Sequence, residues 1–150
     1  MPDDDPYDLQ RFVSAQHPVY DRVLAELRAG RKQSHWMWFV FPQISGLGSS
    51  PMSRRYAISC RAEATAYFEH PVLGPRLREC TRLVNAIAER KIGDIFASPD
   101  DMKFHSSMTL FSIAASDPAE FNAALAKYFG YPDAATLDRL AEIGAHVQGQ

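Results

Sequence analysis

Apolar residues recur along most of the chain at the three-to-four spacing of amphipathic helices. Leu9, Phe12 and Val13, with Gln16, make one short face; Tyr20, Val23, Leu24 and Leu27 make the next, which stops at Gly30. Similar stretches run over about 59 to 69, 72 to 89, 99 to 115, 118 to 129 and 134 to 143. The segments between them, GLGSSP, EHP, KIGD, SDP and YPD, are all turn chemistry. Alternating apolar and polar runs are nearly absent. Only WMWFVF, residues 36–41, has strand-like composition, and Phe41-Pro42 closes it.

This pattern predicts an all-α fold: a single compact domain of six to eight short helices in an irregular orthogonal bundle. The domain is expected to span residues 1–150, with its ordered core over about 5–143. A hairpin near residues 36–44 is the competing element. Proline supplies helix starts at Asp5-Pro6, Ser98-Pro99 and Asp117-Pro118, each placing a capping residue before a proline at the first helical position. Asp101 and Glu120 then fall at the capping-box position.

Composition narrows the class. With 150 residues, 46% of them hydrophobic, the chain can close one sizeable core but not two. No apolar run approaches the roughly 20 residues that cross a bilayer, and the start, MPDDDPYD, is acidic where a secretory leader would be basic, so no membrane partner and a cytoplasmic location are expected. Cys60 and Cys80 have no CxxC spacing, which predicts reduced thiols. His17, His35, His70, His105 and His146 are scattered without HxxxH or HExxH, so no metal is expected. No cofactor is expected either, because both the P-loop and the dinucleotide fingerprint are missing.

Charge adds an asymmetry. Residues 22–91 carry twelve Lys/Arg against five Glu, a net +7, which leaves −9 for the two ends against a total of −2. A basic centre can either pair with the acidic ends or face an anionic ligand. The pI of 6.2 argues against a dedicated nucleic-acid-binding domain.

Three stretches hold candidate chemistry. GRKQSHWMWFVFPQ, residues 30–43, sets both tryptophans beside a histidine and two cations. Read as a helix capped by Ser34, it turns Trp36, Phe39 and Val40 to the core and Trp38 to another side; stacking and cation–π attraction would then suit a flat anion. GLGSSPMSRRY, residues 46–56, offers backbone N–H groups and Arg54 and Arg55 to a phosphate, or else is an exposed turn whose arginines pair with Glu63 or the acidic ends. In DDMKFHSSMTLF, residues 100–111, helical spacing buries Phe104, Met108 and Phe111 and puts Lys103 one turn from Ser106 and Ser107. That is the reverse of the Ser-x-x-Lys order of serine-lysine nucleophiles. The candidate catalytic residues are therefore His35, Lys103 and Ser106, and the candidate ligand-binding residues Arg31, Lys32, Trp36, Trp38, Gln43 and Arg55.

The same stretches, with YFEHPVLGPRLREC at residues 67–80, closely resemble the bacterial family catalogued as domain of unknown function 1810, over about residues 5–140. The resemblance implies a mainly helical fold and no named activity. Its signature falls on Gly30, Arg31, Lys32, Ser34, His35, Trp36, Trp38, Phe41, Pro42, Gln43, Gly46, Gly48, Tyr56, His70, Pro71, Lys103, Ser106, Met108, Thr109 and Phe111. The chain departs from the pattern at Phe104-His105, which weakens a catalytic role for His105 and leaves Lys103 untouched. Some members carry the label calpastatin; those inhibitors resemble flexible repeated segments, unlike this apolar chain without repeats.

Two functions fit these residues. One is a small-ligand site, enzymatic or not, for a phosphorylated or nucleotide-like anion. The other is a non-enzymatic helical interaction module using its basic face for a protein or nucleic acid. Convergence of His35, Gln43, Lys103 and Ser106 on one hollow would favour the first.

Overall fold

Residues 5–148 of the chain are described by a computed structural model; the acidic residues 3 and 4 and the side chain of His146 lie outside them. The described residues form ten helices: α1 (Gln10–Gln16), α2 (Tyr20–Arg28), α3 (Met37–Val40), α4 (Pro51–Arg55), α5 (Arg61–Glu69), α6 (Leu73–Asn85), α7 (Ile92–Ile95), α8 (Asp100–Ala114), α9 (Ala119–Tyr128) and α10 (Ala134–Gln148). The count exceeds the six to eight read from periodicity because α3, α4 and α7 are single turns, too short to show a repeat.

The organising element is α8, which packs against α5, α9, α10 and α7. Phe104, Ser106, Ser107, Met108, Thr109, Leu110, Phe111 and Ala114 are all buried. A helix covered on nearly every side belongs in the middle of a domain. Around it, α5 and α6 approach so closely that a Cβ on Gly74 would stand 2.0 Å from the carbonyl oxygen of Phe68; only glycine fits. An aromatic seam links Trp36, Phe41, Phe96 and Phe104, with Phe41 and Phe104 edge to face at 5.0 Å.

Several local expectations change. No hairpin forms at residues 36–44. Pro42 denies the ladder a donor, and only Ile44 makes an isolated parallel bridge, to Ile58, with Ile58 N–H donating to Gln43 O and Ser45 N–H to Ile58 O, both at 2.8 Å. Ser34 does not cap a helix: α3 starts after Trp36, and the Ser34 hydroxyl donates instead to Glu26 at 2.6 Å. Pro99 and Pro118 sit at the capping position rather than inside the first turn. Glu63 pairs not with Arg54 or Arg55 but with Arg11, at 3.0 Å. Cys60 and Cys80 are both free thiols, and among the described residues no helix is long and apolar enough to cross a membrane.

Candidate functional site

A buried carboxylate shapes the 30–36 stretch. Glu26, on α2, accepts from the backbone N–H of Gln33 (2.7 Å) and Ser34 (3.0 Å), the Ser34 hydroxyl and the Trp36 indole N–H (2.9 Å). Burial alone pushes its carboxyl upward, but these four donors more than offset that and hold it at about 2. Trp36 is thereby drawn into the core, 1% exposed, and offers no free face to a ligand. Trp38, two residues on, stays half-buried.

Lys32 and Lys103 meet across one acid. Lys32 Nζ lies 2.8 Å from Asp100 Oδ2 and Lys103 Nζ 3.7 Å from Asp100 Oδ1. The Lys32 side chain is 8% exposed and sits over Trp36, whereas Lys103 is 20% exposed and sits over Trp38, each 5.2 Å from the ring centroid. Two ammoniums sharing one carboxylate leave one net positive charge, and it is Lys103 that reaches solvent.

That lysine stands in a cleft of about 220 Å³ between α8, the 43–48 loop and the start of α10. Its lining combines the polar Gln43, Lys103, Ser106 and Asp133 with the apolar Leu47, Pro99, Met102 and Ala135. A narrow depression adjoins it, sharing Gln43 and Gly48 and reaching Trp38 and Tyr56. Sequence distance is large between these parts, so the loop has to be held. The Ile44 bridge anchors one side, and Arg139 of α10 donates through Nε to Ser45 O at 2.8 Å on the other. Gly46 takes φ of +94°, and a Cβ there would lie 2.6 Å from that same Nε.

The α10 wall is tied to α8 by a chain of hydroxyls. Asp133 caps α10: its Oδ2 accepts the Thr136 N–H at 3.1 Å and the Thr136 hydroxyl at 2.6 Å. Thr136 Oγ1 lies 2.7 Å from Ser106 Oγ. Among the described residues the Gln43 side-chain amide makes no hydrogen bond.

Of the residues singled out from the sequence, Gln43, Lys103 and Ser106 line this one cleft and Trp38 lies under Lys103. Lys32 is one pair away, through Asp100. Arg31, His35 and Arg55 are exposed and do not line it; Arg55 lies over Tyr56 at 5.4 Å. Asp100, Met102, Asp133 and Thr136 were not singled out. Asp133, just before α10, is a preferred capping residue type that the sequence could have flagged, but nothing local says that the cap turns toward α8 or draws in Thr136.

A larger hollow of about 370 Å³ lies at the α5–α6 corner beside Phe68, His70, Arg78 and Arg82. It is the weaker candidate for an anion. Glu120 takes Arg78 at 3.3 Å and Arg82 at 2.8 Å, Asp117 takes Arg78 at 3.6 Å, and His70 Nδ1 already accepts the N–H groups of Val72 and Leu73.

Comparison with known proteins agrees with the sequence resemblance. The family model described as "Protein of unknown function (DUF1810)" matches residues 6–140. No curated protein matches. The chain is similar to the crystal structure of the conserved hypothetical protein Rv1873 from Mycobacterium tuberculosis, with 59% identity and a TM-score of 0.90, over 91% of this chain and 99% of that one.

Proposed function

The chain belongs to the family of proteins of unknown function DUF1810, a membership that specifies no activity, and on that premise we propose that the cleft between α8, the 43–48 loop and α10 binds a small anionic organic molecule, phosphorylated or carboxylated. The observation that carries this is the position of Lys103, whose ammonium is fixed over Trp38 and beside Asp100 at the edge of a hollow that also holds Gln43 and Ser106. Fixing the cation in advance removes much of the ordering cost that a free surface lysine would bring to an anion.

Size limits the ligand. At about 220 Å³ the cleft lies below the roughly 300–1,000 Å³ usual for drug-sized sites. A whole nucleotide is too large to be enclosed, so a compact metabolite with its apolar part on Leu47 and Met102 is the better fit. Met102, 67% exposed at the rim, is the natural cover. His35 is not among the residues that line the cleft, so the site supports binding more strongly than a reaction.

A thermal-shift panel of inorganic phosphate and small organic phosphates and carboxylates tests the proposal. A member present at 100 times its Kd should stabilise the fold by about 2.7 kcal/mol, and the gain should vanish in Lys103→Met. No stabilisation by any panel member, or an equal gain in the variant, would remove this cleft as an anion site.

A further inference from the structure

The direction of the protons along Ser106, Thr136 and Asp133 says more about what enters the cleft. The Asp133 carboxylate can only accept, so the single hydroxyl proton of Thr136 points to Asp133 Oδ2, 2.6 Å away. Thr136 therefore has nothing left to give Ser106 and must accept from it across the 2.7 Å contact. The Ser106 proton is thus committed inside the protein. Only the lone pairs of its oxygen remain for the cleft, which it lines together with Asp133.

Among the polar groups that line the cleft, Ser106 and Asp133 thus offer acceptors, Asp133 with a negative charge, whereas Lys103, one helical turn before Ser106 on α8, offers an ammonium. A simple dianion would meet Lys103 well and be repelled by Asp133. A molecule whose hydrogen-bond donor, best a protonated amine, lies a few bonds from its anion satisfies both groups. From this arrangement we infer that the cleft takes a small zwitterion of the amino-acid kind, with its ammonium toward Ser106 and Asp133, its anionic group toward Lys103 and an apolar side chain on Leu47 and Met102. The inference rests on the anion site proposed above and adds the donor requirement to it.

The test uses a matched series on one apolar side chain: L-leucine, 4-methylpentanoate, which lacks the amine, and 3-methylbutylamine, which lacks the carboxylate, titrated calorimetrically into the full chain. Leucine should bind at least tenfold more tightly than either truncated compound. In Thr136→Val, Ser106 loses its internal acceptor and its proton becomes free to face the cleft, so the preference of leucine over 4-methylpentanoate should shrink severalfold. Equal binding of leucine and 4-methylpentanoate would overturn the donor requirement while leaving the anion site standing. If leucine does not bind although members of the phosphate and carboxylate panel do, the zwitterion is wrong and the anion site survives. If no compound of either set binds, both fall. An unchanged preference in Thr136→Val would contradict the proton direction itself.

Discussion

The Lys103 ammonium lies 5.2 Å from the centroid of the Trp38 ring and 3.7 Å from Asp100, so the charge at the cleft edge is held in place by an aromatic face and a carboxylate together. Neither partner is strong by itself: a partly exposed ion pair and a cation–π contact each contribute about 1 kcal/mol or less. Replacing Lys103 by Met should therefore lower stability by only about 1 kcal/mol in a denaturant titration while abolishing anion binding. A loss of several kcal/mol would mean that Lys103 serves the fold and not a ligand.

Glu26 sets an acid limit on the fold. Its carboxyl is held at about 2 against an ordinary value near 4.5, because its four hydrogen bonds outweigh the burial that would raise it. A depressed folded value means that the stabilisation is fully present above the unfolded value and is lost as pH falls from about 4.5 toward 2. The difference corresponds to about 3 kcal/mol. Urea unfolding followed across that range should show this loss in the native chain and a flatter acid limb in Glu26→Gln. Equal slopes in the two proteins would show that other carboxyls govern the acid response.

The two tryptophans should separate cleanly. Trp36→Ala removes a fully buried indole and leaves Glu26 short of a donor, an expected cost of roughly 3–5 kcal/mol. Trp38→Ala removes a half-buried ring and should cost about 1–2 kcal/mol, while weakening ligand binding through the loss of support under Lys103. Thermal unfolding of both variants checks the order. A larger loss for Trp38→Ala would place that ring in the core.

Gly46→Ala probes the loop. The added methyl has to occupy a left-handed backbone at φ of +94° and displace the Arg139 guanidinium that holds Ser45 O, for an expected cost of about 1–3 kcal/mol. Ligand affinity should fall in the same variant because the loop is one wall of the cleft. Stability and affinity both at native levels would mean that the Arg139 contact does not position the loop.

The helical fold was legible because proline, glycine and 3.6-residue spacing are local signals, as at Leu9 to Gln16 or Tyr20 to Leu27. Single-turn helices were not, since Met37–Val40 and Ile92–Ile95 complete no second period. The site was legible in part for the same reason. Lys103 and Ser106 sit one turn apart on a single helix, which spacing reveals, whereas Thr136, with Asp133 bonded behind it, reaches Ser106 from 30 residues away only through the packing of α10 on α8. Lys32 shows the converse. Its place beside the tryptophans suggested a free cation, but Asp100, 68 positions along the chain, neutralises it.

The most direct test of the cleft is amide chemical-shift mapping of the 15N-labelled chain with the panel compound that raises the melting temperature most. The shifts should gather at residues 43–48, 99–106 and 133–136, three stretches that only the folded cleft brings together. Shifts centred instead on residues 68–82, around His70, Arg78 and Arg82, or spread over the surface without a focus, would contradict the assignment of Lys103 and Ser106 to a ligand site.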